Sequence, residues 1–161
     1  MKKIIILFVF LFLSGTVTFA QEGIGLGVIL GEPTGVSFKT FVGDRSAVDA
    51  AAAWSFSGNA SFQFHADYLI SPFDMPKPPE IRSTVAFYYG IGGRLKLRES
   101  DGRSSRNDDD DILGIRFPAG FSHILRSAPV EFFAEIVPIL DIVPDTDADL
   151  NAAIGARYYF K

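Results

Sequence analysis

The stretch NASFQFHADYLI, residues 59–70, alternates between polar and apolar side chains as far as Tyr68. Successive side chains of a β-strand point to opposite faces of a sheet, whereas a helix repeats every 3.6 residues. The apolar face carries Phe62, Phe64, Ala66, Tyr68 and Ile70, and the polar face carries Ser61, Gln63, His65 and Asp67. The stretch therefore predicts a strand that separates an apolar environment from a polar one.

Seven further segments show the same period of two, at residues 22–30, 34–42, 47–56, 83–97, 112–124, 130–142 and 148–160. Short stretches rich in Gly, Pro, Asp and Ser separate most of them, which predicts hairpin turns between consecutive strands. Pro118 falls inside the sixth segment and predicts a bulge or a local break. Eight antiparallel strands close economically into an up-and-down barrel, so we expect an all-β fold with one barrel domain at residues 21–161.

The composition excludes several classes of function. The chain has 161 residues, no cysteine and a net charge of −4. Without cysteine there is no disulfide framework, no thiol redox site and no thiolate zinc site. The negative charge gives nucleic-acid phosphates no attraction, so we expect no nucleic-acid partner.

Residues 1–20 have the pattern of a cleaved signal peptide. Lys2 and Lys3 precede an unbroken apolar run at residues 4–13, and Thr18 and Ala20 supply the small residues before the expected cleavage site. The run is much shorter than the ~20 residues that a membrane-spanning helix needs. We therefore expect an exported protein that is cleaved before Gln21.

The composition of the polar face indicates that this face lines the interior of the barrel. This face is rich in Gly, Ala and Ser, which suit a narrow lumen, and its charges have both signs, as buried charges must. The apolar face is almost free of charge over a length that can cross a bilayer. We expect short turns, a polar plugged lumen and an apolar exterior, with Phe41, Trp54, Tyr68, Tyr89 and Tyr158 at the membrane interfaces. The predicted lumen network comprises Lys39, Asp49, Gln63, His65, Asp67, Arg94, Lys96, Arg116, Glu131, Glu135, Asp141 and Arg157.

The C-terminus, GARYYF at residues 155–160, resembles the assembly signal of bacterial outer-membrane barrels, carried here by Gly155, Tyr158 and Phe160 and followed by Lys161. Together with GVILGEPTGVSF at residues 27–38 and YYGIGGRLK at residues 88–96, it makes the whole mature chain resemble a family of small, uncharacterised, eight-stranded outer-membrane barrels. The resemblance implies a location in the bacterial outer membrane, both termini in the periplasm, and contact of the last strand with the barrel-assembly machinery. It implies no catalytic residues.

Few residues suggest chemistry of their own. Ser61, His65 and Asp67 share one face of a strand, but no nucleophile elbow accompanies them, so we expect lumen hydrogen bonding and no enzyme. The acidic run Asp108, Asp109, Asp110 and Asp111 lacks the spacing of a calcium loop. We therefore expect no metal or cofactor, and we expect residues 98–111 to form a solvated surface loop that could recognise a ligand.

These observations favour an integral outer-membrane protein, in contact with outer-membrane lipid, that has a structural, envelope-integrity or surface-interaction role and is not a porin. Two alternatives stay open. A soluble periplasmic or secreted lipocalin-like barrel would need the Phe-rich face to line an apolar ligand cavity. A membrane-embedded lipid-modifying enzyme would need His65 at its catalytic centre.

Overall fold

A computed structural model describes residues 23–55, 61–73, 85–98, 111–125 and 127–160. Within these ranges all regular structure is β, and no helix is long and apolar enough to span a membrane. The nine strands are β1 (Ile24–Gly31), β2 (Thr34–Phe41), β3 (Ser46–Ser55), β4 (Ser61–Ile70), β5 (Val85–Arg98), β6 (Ile112–Arg116), β7 (Ala119–Ile124), β8 (Val130–Val143) and β9 (Asp147–Phe160). Each lies within one of the predicted segments or extends beyond it by one residue.

The strands form one antiparallel sheet that closes on itself. The first and last described strands complete the closure, because β1 pairs with β9 from Ile24 opposite Phe160 to Gly31 opposite Ala153. Both β6 and β7 pair with β5 on one side and with β8 on the other, so they share one position. The described residues therefore form a ring of eight strand positions.

The break between β6 and β7 lies at Phe117 and Pro118. Pro118 has no N–H group to donate to the sheet ladder, and the regular pairing is interrupted at this residue, whereas Pro138 lies within the uninterrupted strand β8. Two backbone hydrogen bonds bridge the break: Gly90 donates to the Pro118 carbonyl at 2.8 Å, and Phe117 donates to the Pro138 carbonyl at 2.9 Å. This confirms the local break predicted in the sixth segment.

The two ends of the ring differ in their chain connections. We call the end where β1 begins and β9 ends the terminal end, and the opposite end the far end. Because the strands are antiparallel, β3 ends and β4 begins at the far end, and so do the end of β5 and the start of β6. The predicted surface loop at residues 98–111 thus joins two strand ends at the far end, although residues 99–110 lie outside the described ranges.

The two faces of the sheet have opposite polarity. Charged side chains point inward and are buried, as shown by Arg116 and Glu131, both 0% exposed. The outward side chains are mostly apolar, as shown by Phe121 at 57% and Ile154 at 61%. The strict alternation along β8 illustrates the cause, since neighbouring residues of one strand fall on opposite faces.

An apolar cluster fills the interior towards the terminal end. Its members are Phe41, Ala47, Leu69, Tyr88, Ile124 and Tyr159. The rings of Phe41 and Tyr159 stack with centroids 5.4 Å apart. The expectation that Phe41 lies at a membrane interface is wrong, because the period of two places it on the same inward face as Lys39.

Candidate functional site: the buried charged network

The residues predicted for the polar lumen network all lie at inward positions of the ring. Eleven of the twelve are buried, and Lys96 is half-buried. The eleven are Lys39, Asp49, Gln63, His65, Asp67, Arg94, Arg116, Glu131, Glu135, Asp141 and Arg157. Most of their charged groups fall into three clusters, which follow one another along the interior.

The first cluster is built around Glu131 on β8. Its carboxylate accepts hydrogen bonds from Lys39 Nζ at 2.6 Å, Tyr159 Oη at 2.9 Å and Arg157 Nη1 at 3.2 Å. Arg157 also donates to Ser37 Oγ at 2.8 Å and pairs with Asp49. Two carboxylates and two cations thus neutralise each other where water does not reach them, which is the condition for burying charge.

Aromatic rings complete the surroundings of these cations. The guanidinium of Arg157 lies 3.8 Å from the centroid of the Phe133 ring, and Lys39 Nζ lies 5.4 Å from the rings of Phe41 and Tyr88. A ring face attracts a cation, and the attraction is stronger where the cation is desolvated. The rings therefore stabilise the cations and fill space around them.

The second cluster joins β4, β6 and β8. Arg116 Nε donates to both carboxylate oxygens of Asp67 at 3.1 Å, and Arg116 Nη2 lies 3.9 Å from Glu135. Tyr88 donates to Glu135 at 2.9 Å. One arginine thus lies between carboxylates from two different strands.

The third cluster lies towards the far end and centres on Arg94. Its Nε and Nη2 donate to the two oxygens of Asp141 at 3.0 and 2.5 Å, in a fork that matches the carboxylate. Its Nη1 donates to Asp149 at 3.0 Å. The Asp149 side chain is 43% exposed, so this cluster reaches solvent at the far end.

Glycines at inward positions make room for these pairs, and sequence reasoning did not assign them this role. Gly92 is paired with Asp67 on β4 and with Arg116 on β6, so it lies between the two partners of the second cluster. A Cβ atom at Gly92 would collide with the Asp67 carboxylate, and one at Gly114 would collide with Asp141. The sequence does contain the signal: a glycine at an inward position between strands that carry opposite charges.

The candidate triad residues Ser61, His65 and Asp67 are only partly described. His65 and Asp67 are both buried, and His65 Nδ1 has no hydrogen-bond partner among the described residues. The side chain of Ser61 lies outside what the structure describes. In the described ranges no group of three or more His, Asp or Glu side chains is arranged to hold a metal ion.

The predicted assembly-signal residues lie on the last strand. Tyr158 and Phe160 point outward, 47% and 51% exposed, with ring centroids 5.0 Å apart. Gly155 faces the Phe133 ring so closely that a Cβ atom there would overlap it. Its small size therefore leaves space for the ring that contacts Arg157.

The remaining predicted sites are only partly described. Asp111 is exposed just before β6, whereas Asp108, Asp109, Asp110, Lys161 and residues 1–20 lie outside the described ranges. On the outer face, a depression of about 700 Å³ is lined mainly by apolar residues of β7, β8 and β9, including Ala119, Ala134 and Ile154.

No protein-family model, curated protein or solved structure matches the chain.

Proposed function

We propose that this protein is an integral β-barrel of the bacterial outer membrane, exported through its N-terminal signal, whose barrel acts as a membrane anchor with a structural, envelope-integrity or surface-interaction role. The proposal depends on one observation. At the outward positions of the described strands there is no Asp, Glu, Lys or Arg. Soluble monomers rarely expose contiguous apolar patches larger than a few hundred Å², and here the apolar face surrounds the whole ring.

The height of this apolar surface suits a bilayer. Along β9 the outward residues run from Leu150 to Phe160 without a charge, a distance of ten residues. At about 3.3 Å per residue and a tilt of about 40°, ten residues rise about 25 Å. That is about the height of the apolar band of outer-membrane barrels.

Aromatic residues lie on the outer face towards both ends. Trp54, Phe62 and Phe64 form an edge-to-face group at the far end, with successive centroids 5.4 and 4.5 Å apart. Tyr158 and Phe160 pair at the terminal end. Outer-membrane barrels carry girdles of aromatic residues at both membrane–water interfaces, where Trp and Tyr can bury an apolar ring and keep a polar group in water.

The filled interior favours a role as a membrane anchor over a role as a channel. Eight strand positions leave an interior that side chains can fill. Here the three charged clusters and the apolar cluster occupy it. In this proposal the far end faces outside the cell, residues 98–111 present the surface for a ligand, and β9 is the strand that the assembly machinery engages.

The two alternatives have weaker support. A lipocalin-like carrier needs the Phe-rich face inside, and the structure places Phe87, Phe121 and Phe132 outside. A lipid-modifying enzyme needs its catalytic groups near lipid, and His65 is 5% exposed on the inner face. We therefore do not propose either function.

The first test is fractionation of cells that express the full chain with its signal. Membranes are washed with carbonate, and the pellet is run on a gel with and without boiling. Retention in the pellet and a heat-dependent change in mobility are expected of a folded membrane barrel. Release of the folded protein into the carbonate wash would refute the proposal.

The second test uses Trp54, the only tryptophan of the chain, which is 48% exposed on the outer face. The protein is refolded into vesicles whose lipids carry bromine near the headgroup or near the chain ends. Because Trp54 lies towards the far end, bromine near the headgroup should quench its fluorescence more strongly. Equal emission in brominated and plain vesicles would show that Trp54 does not contact lipid, and Trp54→Phe provides the blank.

A further inference from the structure

The first strand separates the last strand from two strands whose side chains the last strand contacts. Around the ring, β1 lies between β2 and β9, and β3 follows β2. Arg157 on β9 nevertheless donates to Ser37 Oγ on β2 at 2.8 Å and pairs with Asp49 on β3. The ring of Tyr159, also on β9, stacks on Phe41 of β2 with centroids 5.4 Å apart. Two side chains of the last strand therefore pass over the inner face of β1.

Glycines at inward positions of β1 leave the space for this crossing. Gly27 is paired with Ser37 on one side and with Arg157 on the other, so the three residues lie at one level of the ring. A Cβ atom at Gly27 would overlap the backbone at Arg157, and one at Gly25 would lie 2.8 Å from the Tyr159 ring. A side chain at either position would therefore block the path of the residue that crosses it.

Glycines occur along the whole inner face of the closing pair of strands. The four inward pairs between β1 and β9 each contain one: Gly25 with Tyr159, Gly27 with Arg157, Ile29 with Gly155, and Gly31 with Ala153. In the first three pairs a large side chain lies opposite a residue that has none. The inward faces of the two strands are therefore complementary in size in this register.

Other registers lose this complementarity. Displacement by one residue turns every side chain to the other face, so the alternation of polar and apolar residues excludes it. Displacement by two residues keeps the faces, and alternation does not exclude it. In one direction it places Ile29 opposite Arg157, and in the other it places Gly27 opposite Gly155. Both displacements also move Arg157 away from the level of Ser37, so the crossing side chains distinguish registers that alternation does not.

We propose that Arg157 and Tyr159 form a latch that closes the ring: they cross the glycines of β1, bind β2 and β3, and thereby select the register in which the last strand pairs with the first. Both side chains also donate to Glu131 on β8, the other neighbour of β9, at 3.2 and 2.9 Å. A displaced β9 would thus lose contacts on both of its sides. The outward residues Tyr158 and Phe160 take no part in the latch. Because the latch acts within the ring, it does not depend on the membrane location proposed above.

Disulfide bonds between introduced cysteines report the register directly, because the chain has no cysteine of its own. Leu30 lies opposite Ile154 on the outer face, so Leu30→Cys with Ile154→Cys reports the observed register. Leu30→Cys combined with Ala152→Cys or with Ala156→Cys reports a displacement by two residues in either direction. A disulfide needs Cα atoms within about 7 Å, which directly opposite residues satisfy and diagonal ones do not.

The chain is refolded from urea into detergent micelles under oxidising conditions, and the disulfide yield is measured in the band of folded protein on an unboiled gel. We call the yield of the observed pair divided by that of a displaced pair the register ratio. It should be about tenfold or more without further substitutions, the ratio that a preference of about 1.4 kcal/mol produces. A ratio near one would overturn the proposal.

Variants of the crossing side chain test its part in the latch. Arg157→Met should lower the register ratio about tenfold, because it removes a charge-assisted hydrogen bond to β2. Arg116→Met is the matched control: it removes a buried arginine whose hydrogen-bond partner Asp67 lies on β4, and it should leave the ratio unchanged. An unchanged ratio in Arg157→Met, or an equal loss in both variants, would overturn the proposal. If Arg157→Met does not fold, Ser37→Ala decides, since it removes only the acceptor on β2 and should lower the ratio about threefold or more.

A second pair of variants tests the glycines of β1. Gly27→Ala places a methyl group against the backbone of β9, whereas Gly35→Ala on β2 collides in the same way with the backbone of β3. Displacement by two residues brings residue 27 opposite Gly155, where the methyl group has room. Gly27→Ala should therefore increase the disulfide yield of Leu30→Cys with Ala152→Cys, and Gly35→Ala should not. Equal yields in the two variants would overturn the role of the β1 glycines in selecting the register.

Discussion

Replacing Glu131 with Gln should destabilise the protein strongly while hardly changing its shape. Glu131 is fully buried and accepts hydrogen bonds from Lys39, Arg157 and Tyr159. Within the described residues it is the only carboxylate paired with Lys39, which is itself 1% exposed. The amide keeps the volume of the side chain but removes the charge, so Lys39 becomes a buried cation without a counter-charge.

The size of the effect follows from this geometry. Breaking a buried ion pair by removing one partner costs about 3–5 kcal/mol, because the remaining charge stays desolvated. Arg157 keeps Asp49, so the loss falls mainly on Lys39. We therefore expect the free energy of unfolding of Glu131→Gln to fall by about 3–5 kcal/mol, a large fraction of the ~5–15 kcal/mol typical of a folded protein.

The assay is equilibrium unfolding in urea, in detergent micelles or vesicles, followed by the fluorescence of Trp54. Asp145→Asn makes the same carboxylate-to-amide change at an exposed position and should have little effect. The double variant Lys39→Met with Glu131→Gln removes both charges and should recover about 2 kcal/mol or more relative to Glu131→Gln. A loss below about 1 kcal/mol for Glu131→Gln, or no recovery in the double variant, would refute the buried pairing.

Three further predictions address the other features of the ring. Gly92→Ala should lower the free energy of unfolding by about 1–3 kcal/mol in the same urea assay, because its Cβ meets the Asp67 carboxylate. The control Gly93→Ala has only an ordinary contact at 3.7 Å and should be neutral or slightly stabilising. Equal effects of the two substitutions would contradict the role of Gly92. Arg94→Glu should destabilise by a few kcal/mol, because a third carboxylate would join Asp141 and Asp149; an unchanged melting temperature would count against the inward placement of these charges. In vesicles, Ile154→Arg on the outer face should lower the free energy of unfolding by about 2–4 kcal/mol if this position lies near the middle of the bilayer. Leu150→Arg, nearer the far end, should lower it less. Two effects near zero would show that the outer face does not contact lipid.

The alternation of polar and apolar side chains predicted most of the strands and the face on which each residue lies. His65 and Asp67 are predicted to share a face opposite Phe64 and Tyr68, and the structure has this arrangement. Val137 and Ile139 are apolar residues at inward positions of β8, where most of the predicted side chains are polar. The period of two still predicts that they lie inside, and they are 1% and 3% exposed. Phe41 shows the limit of judging by residue type, since its position in the period placed it inside while its aromatic ring suggested the outer face.

The individual ion pairs could not be predicted from the sequence. The inward positions predict which charged residues lie in the interior, but they do not predict which of them form ion pairs. Lys39 and Glu131 are 92 residues apart in the sequence, and Asp49 and Arg157 are 108 apart. The roles of Gly92 and Gly114 follow only once these partners are known. Within the described residues, side-chain nitrogen atoms of Gln63, His65 and Arg116 have no hydrogen-bond partner, and this too appears only in the three-dimensional arrangement.

The sequence by itself determined the strands and the polarity of the two faces, because a period of two is a local property of the chain. The tertiary structure alone decided which cation meets which carboxylate and which donors stay unused. Those outcomes depend on the order of the strands and on their register around the ring, and contacts across a closed interior join residues that no local pattern connects.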